Sequence, residues 1–246
     1  MGVSKELNMA NRDCCNVYLF DYATKKLWMK SDWCNTTTAG FSSDAVFANK
    51  KGAKDIKFDN PLEGTMTMVF QVYPFQVFAL YSDGGIETSA DIAREETVTG
   101  EAEGVLTLKR KPIAGTVYVR DANGKEIEGS VAEKKFTATT TSEIAEGTTY
   151  EVFYLENKVS GVKKVSINNK KVPKDFFIQM ETNNKDENGQ EVPLRITAYK
   201  ASPNRNLDLS FSSDGDPAEI TVEFSVLQDR DGNVMDIIEI ESDDEE

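Results

Sequence analysis

Apolar and polar side chains alternate with a period of two along most of this chain, the repeat of a half-buried antiparallel strand. Between 218 and 226, Ile220, Val222, Phe224 and Val226 share one face, while Glu219, Thr221, Glu223 and Ser225 share the other. Over 190–200, Val192, Leu194, Ile196 and Ala198 oppose Arg195 and Thr197, and Leu207, Leu209 and Phe211 alternate with Asp208 and Ser210. Met66, Met68, Phe70 and Val72 repeat the pattern, as do Val117 and Val119. β-Branched and aromatic residues fill these positions, as pleated strands prefer. Asn123-Gly124 and Asn188-Gly189 supply the positive φ of tight hairpins, and Asp214-Gly215-Asp216-Pro217 and Asp231-Gly232-Asn233 mark two more reversals. Strand, turn and strand at about ten-residue spacing predict a mainly β chain, an antiparallel sandwich or open barrel.

One segment departs from the alternation. Residues 74–82, PFQVFALYS, are largely apolar without a break and run into Asp83-Gly84-Gly85. Pro at the first turn and Gly just past the end are helix punctuation, so one short α-helix is predicted over about 74–82, with a buried strand as the competing assignment. Phe75, Phe78 and Tyr81, three residues apart, would lie together against a sheet. Residues 83–98, containing Glu95-Glu96, read as a long polar connection. Residues 16–30 read as a hairpin turning at Asp21-Tyr22-Ala23-Thr24, and 44–72 as a longer hairpin arm with a basic turn, Asn49-Lys50-Lys51-Gly52. No linker is of low complexity and no repeat is convincing. The organisation predicted is one domain over 1–246, with an N-terminal arm or hairpin over 1–40 and an acidic tail over 239–246.

Composition removes most chemistry. The 246 residues include no His, so Ser-His and Cys-His nucleophile pairs, a His general base and imidazole metal ligands are all excluded. Asp+Glu 42 against Lys+Arg 28 leaves a formal charge of −14, which opposes binding to nucleic-acid backbones. Cys14, Cys15 and Cys34 are too few for a disulfide scaffold and read as reduced structural thiols. Adjacent Cys14 and Cys15 do not bridge without strain, whereas a bridge from either to Cys34 is allowed but not needed. Asp229, Asp231, Asp236 and Glu239 invite a calcium reading, but an EF-hand loop wants Gly sixth and Glu twelfth, and Gly232 is fourth and Glu239 eleventh. A hairpin turn accounts for the same residues. Paired carboxylates for glycoside hydrolysis are inevitable by chance in so acidic a chain, and no Gly-rich phosphate loop opens a helix. Lys109-Arg110-Lys111 and Lys163-Lys164 read as solvated strand ends or salt-bridge partners, and Trp28 and Trp33 as core or interface anchors. No catalytic residue, metal ligand or cofactor is therefore assigned. No run approaches a membrane span, and Met-Gly-Val-Ser-Lys-Glu is not a signal peptide.

The order of elements carries a resemblance. PLEGTMTMVFQVYPFQVFALYSDGG pairs a strand with a helix closed by glycines; TLKRKPIAGTVYVRDANGKE and EGTTYEVFYL follow. VPLRITAYKASPNRNLDLSFSSDGDPAEITVEFSVLQDRDGNVMDIIEI closes the chain with an alternating strand, a Lys-Ala-x-Pro corner, an acidic turn and a final hairpin. Over about residues 40–240 this resembles the major tail tube proteins of tailed bacteriophages. The resemblance implies a fold similar to the tube proteins of contractile injection systems, with a flanking helix and a long hairpin. It also implies rings of six copies, stacked into a hollow tail tube through which the genome leaves, and no catalysis. The implied partners are further copies of the chain, duplex DNA passing without specific binding, and tail sheath, tape-measure and baseplate proteins. The implied location is the virion tail, assembled in the host cytoplasm, away from membranes. On this reading Asp208, Glu219 and Glu223 are candidate lumen residues. Asn49, Lys50, Lys51 and Gly52, with Glu95 and Glu96, are candidate ring-to-ring contacts. Three rivals stand: the tube of a phage-derived injection device without a genome, an extracellular β-sandwich carbohydrate- or adhesion-binding module, and a carboxylate-only glycosidase.

Overall fold

The alternating runs become antiparallel strands in the computed structural model, which describes residues 8–32, 34–215 and 217–240. In chain order the first seven are β1 (Met9–Asn11), β2 (Asn16–Asp21), β3 (Leu27–Ser31), β4 (Cys34–Ser42), β5 (Ala45–Lys50), β6 (Ala53–Asp59) and β7 (Glu63–Phe70). There follow β8 (Ala90–Thr99), β9 (Val105–Thr107), β10 (Tyr118–Arg120), β11 (Gly129–Ala132), β12 (Lys135–Ala138) and β13 (Thr149–Lys158). The last four are β14 (Phe176–Asp186), β15 (Glu191–Pro203), β16 (Ile220–Leu227) and β17 (Met235–Glu239). They form two compact units: one from the chain up to Gly85 and from Ile167 onward, the other from Ile86–Ser166 inserted between those halves.

The larger unit is built on one sheet in the order β3-β2-β14-β15-β16-β7-β4, with β1 paired to β14 and β17 paired to β15, and carries a separate two-stranded sheet, β5-β6. Its two end strands are neighbours in sequence: Ser31 closes β3 and Cys34 opens β4. Three Cα–Cα steps of about 3.8 Å span at most about 11 Å. Seven strands laid flat at about 4.8 Å spacing would instead put those ends roughly 29 Å apart. The sheet must therefore curl on itself. Among the described residues no ladder joins β3 to β4, so the result is an open barrel with a seam. Its inner face carries the alternate residues read from the sequence: Met66, Met68, Phe70, Ile220, Val222, Phe224 and Val226 are all buried, with Val17, Leu19, Phe176, Ile178 and Met180 from the other half. The ring of Trp28 packs 5.1 Å from Phe176, the anchor role expected of it; Trp33 lies outside the described residues.

A helical segment, Phe75–Tyr81, stands where one was expected, wound as a 3₁₀ helix and not as an α-helix. At three residues per turn Phe75, Phe78 and Tyr81 fall in one row along the segment. Val77 donates from its amide to Pro74 over 3.0 Å and Ser82 to Ala79 over 3.2 Å, and Val77, Leu80 and Tyr81 enter the core.

Three expectations need correction. The segment 83–98 is not a polar connection, since β8 begins at Ala90. Its inward positions include Arg94, bonded to Glu156 over 2.7 Å, and Glu96, which accepts from the Tyr154 hydroxyl over 2.9 Å. Those charges hide the alternation. The 44–72 hairpin is a longer ribbon: β4 continues into β5 and β6 into β7, with breaks at 43–44 and 60–62, and Val72 is exposed beyond the end. The Leu207-Leu209-Phe211 alternation forms no strand, and Phe211 is 78% exposed.

The inserted unit stacks two three-stranded sheets, β10-β13-β8 and β11-β12-β9. Leu106, Val119, Phe136, Tyr150 and Val152 lie in its own core. The short basic runs are paired at its surface, with Lys111 on Glu133 at 2.9 Å and Lys164 on Glu87 at 2.8 Å.

Three reversals share one construction. Asp121, Asp186 and Asp229 each accept through Oδ1 from the amides two and four residues later at 2.8–2.9 Å. Gly124, Gly189 and Gly232 supply the positive φ that closes each turn. The Asp229 carboxylate is thereby used as a turn acceptor. Asp216 and residues 241–246 of the acidic tail lie outside the described residues, while Glu239 ends β17.

Candidate assembly surface

The sequence of β4, Cys-Asn-Thr-Thr-Thr-Ala-Gly-Phe-Ser, contains no charge and no proline. One side of β4 pairs with β7 and the other has no ladder partner among the described residues. Edge strands of monomeric proteins are commonly blunted by Lys, Pro or bulges, because a bare edge templates another strand. β8, a long edge in the inserted unit, follows that rule with Asp91, Arg94, Glu95 and Glu96. The bare β4 edge is the feature the sequence reading passed over. Its signal was there, in the uncharged run 33–43 between Asp32 and Asp44.

Beyond β4 the ribbon protrudes. In the β5–β6 register Val46 faces Phe58 and Ala48 faces Ile56, which places four apolar residues on one face. Val46, Ile56 and Phe58 are each more than half exposed, as is Phe41 just before them on β4. On the opposite face Lys54 lies 4.2 Å above the Phe47 ring and Lys57 pairs with Asp59. Ser43 holds the base, donating from its hydroxyl to the Asn60 carbonyl over 2.6 Å. Asn49 and Lys50 lead into the tip, where Lys51 and Gly52 both take positive φ, the two-residue turn that matches strand twist. Lys50, Lys51 and Lys54 thus concentrate positive charge at the end of an apolar arm on an acidic protein.

The outer face of the barrel beside β4 is rich in hydroxyls. Register aligns Thr38 with Thr67 and Thr67 with Glu223, while Thr36, Thr65 and Thr221 lie on the same face. Glu223 is half-buried in that row. Glu219, just before β16, accepts from the Gln71 amide over 3.1 Å. The structure thus brings Glu219 and Glu223 to one face. Asp208 stands apart, on the strand-free segment after β15. Burial, and after it the charge of Asp208, push the Tyr81 phenol up to about 12.

Glu95 and Glu96 part company on β8. Glu95 is exposed, opposite Phe153 on the outward face. Glu96 turns inward; besides Tyr154 it accepts from the Lys109 amide over 3.1 Å, with the Lys109 ammonium 3.9 Å from its second oxygen.

Among the described residues no group of three or more Cys, Asp or Glu is placed to hold a metal ion. No helix is long and apolar enough to cross a membrane. What the fold defines is an antiparallel β scaffold with one long uncharged, proline-free edge and a projecting ribbon. A scan against protein families matches residues 12–240, nearly the whole chain, to the YomU/Tube protein family. The chain belongs to that family, and is a phage tube protein. A search of curated proteins finds no match.

Proposed function

We propose that this protein is the tail tube subunit, a structural virion protein without catalytic activity. In this reading six copies close into a ring and rings stack into the conduit through which duplex DNA leaves. The observation that carries it is the β4 edge, nine uncharged residues with one side unpaired. Pairing that edge with the next copy converts an aggregation hazard into an interface that closes on itself, as head-to-tail contacts do when the rotation completes a circle. Leu209 and Phe211, exposed on a segment without strand partners, give the neighbour apolar surface to cover. The ribbon, with its apolar face and basic tip at Asn49–Gly52, is assigned to ring-to-ring contact against an acidic neighbour. Glu95 joins that assignment as an exposed residue, whereas Glu96 is already engaged within its own unit.

Glu219, Glu223 and Asp208 are assigned to the lumen. A carboxylate lining repels phosphates, so sliding DNA meets no electrostatic trap. One charge pair at about 10 Å in water is worth only roughly 0.4 kcal/mol, but each ring repeats it many times within the Debye length. Assembly takes place in the host cytoplasm, with tape-measure and baseplate proteins, and a sheath if the tail is contractile, as the further partners.

Negative-stain electron microscopy of the concentrated protein at two salt levels tests the reading. Rings or hollow tubes with six-fold end views are expected. Open linear fibres or particles of another symmetry would overturn the six-membered ring. Reversal to Glu219→Lys and Glu223→Lys is expected to slow DNA ejection, and unchanged ejection counts against the lumen assignment.

A further inference from the structure

The barrel seam has a chemical feature of its own. Cys14 and Cys15 lie between β1 and β2, where the chain leaves the β14 ladder and reaches across to β4. The Cys15 amide donates to the Thr37 hydroxyl over 3.2 Å, and the Cys14 Sγ stands 3.6 Å from the same oxygen. Cys34 is the first residue of β4, 8% exposed, with its Sγ 3.9 Å from the Ser31 hydroxyl. All three thiols are free, and all three line one cavity of about 310 Å³ with Asp13, Asp32 and Glu181. Three thiols have therefore been gathered at the one place where the sheet is not closed by hydrogen bonds.

We propose that Cys14 and Cys34 are a dithiol lock that closes the barrel seam covalently on exposure to a low-molecular-weight disulfide. Cys15 is not the partner of Cys14, since adjacent cysteines bridge only with strain. Cys14 is the seam-crossing thiol, held against Thr37 on the same strand as Cys34. It is also the half-buried one of the pair, and so the more accessible to a reagent. Burial pushes the Cys34 thiol up to about 12 against the Ser31 hydroxyl, and Cys14 is foremost among the charges that add to it. Cys34 is accordingly the slower, resolving thiol. The Cys14 thiolate attacks the reagent disulfide RSSR, forming a Cys14–SR bond and releasing one thiolate RS⁻. The Cys34 thiolate then attacks the Cys14 sulfur, forming the protein disulfide and releasing the second RS⁻. The two thiol protons end on two RSH, so the protein loses two electrons and the reagent gains them. Closure ties the connection before β2 to the first residue of β4 and restrains the unfolded chain. Its timing rests on the tube reading: a subunit made among reduced thiols meets oxidising conditions once the particle leaves the cell.

The experiment treats the full chain with oxidised glutathione, caps remaining thiols with maleimide and maps peptides by mass spectrometry. Loss of two of the three cappable thiols is expected, with a linked peptide pair that persists in Cys15→Ser and is absent in Cys14→Ser and Cys34→Ala. The melting temperature should rise by roughly 5 °C or more on oxidation of the wild type and stay unchanged in Cys14→Ser. A link that survives Cys14→Ser overturns the proposal, as does arrest at the glutathione adduct or an unshifted melt of the linked form. Microscopy of the oxidised and reduced protein is scored separately. Bridged protein that never forms rings sinks the tube reading and leaves the lock standing.

Discussion

The hydroxyl of Tyr81 donates to the backbone carbonyl of Thr221 over 2.8 Å. This single bond fastens the end of the 3₁₀ segment to β16, between the two carboxylates assigned to the lumen. Tyr81 is 1% exposed, so its hydroxyl has little water to turn to instead. Tyr81→Phe removes the donor and leaves a carbonyl short of a partner. It should cost about 1 kcal/mol and lower the melting temperature by roughly 2–4 °C, read by calorimetry.

Tyr81 and Tyr154 should also titrate late. Burial first, then Asp208 for Tyr81 and Glu96 for Tyr154, push both phenols up to about 12. A phenol raised above its unfolded value of about 10 adds stability that is complete below pH 10 and lost as pH rises towards 12. Absorbance at 295 nm should show Tyr81 and Tyr154 ionising only as the alkaline unfolding transition begins. If Tyr81 and Tyr154 ionise near pH 10 in the folded protein, the burial argument is wrong.

Thr38→Lys puts a charge on the exposed outer face of the β4 edge. The melting temperature of the isolated subunit should move by little, as for other surface changes. Ring formation, scored by microscopy and sedimentation velocity, should be abolished or reduced at least tenfold.

Deleting Asn49–Gly52 and rejoining the ribbon with a two-residue Asn-Gly turn tests the tip separately. Rings should still form and fail to stack, so end views persist while long tubes vanish. Tubes of normal length would remove the tip from the stacking interface.

Gly100→Ala probes the inserted unit by itself. A Cβ at Gly100 would come within 2.4 Å of the Ala145 backbone carbonyl and 2.9 Å of the Ile144 Cγ2. Gly100 also donates to Thr148 over 2.7 Å and accepts from Gly147 over 2.9 Å, so the chain cannot simply step aside. A loss of about 1–3 kcal/mol is expected, seen as earlier hydrogen exchange in β8 and β13 with the barrel amides unaffected.

Alternation read the barrel core well where the outward residues were polar and the inward ones apolar, as in Ile220–Val226 and Met66–Phe70. It failed where charge was carried inward: Arg94 pairs with Glu156 and Glu96 accepts from Tyr154, and no sequence pattern announces such partners. It misled at Leu207–Phe211, where the period is right but no neighbouring strand is there to pair. The helix was legible from its punctuation, but not its winding, which depends on packing two rows of side chains three apart. The insertion was invisible because Gly84-Gly85 already served as the end of the helix and no compositional break marks Ile167. Of the candidate residues, the tip was read directly from Lys-Lys-Gly. The β4 edge was missed because its signal is a lack of charge, which counts only once the strand is known to be unpaired.

Glu87 and Lys164 exchange both backbone hydrogen bonds, at 2.8 and 2.9 Å, and their side chains pair as well. Residues paired in this way stand about 5.5 Å apart at Cα. The inserted unit therefore leaves and rejoins the barrel chain through a doorway one rung wide. A segment with such a doorway behaves genetically as a cassette: removed, it asks of the remaining chain only a tight turn, and any module with ends equally close could be spliced in its place.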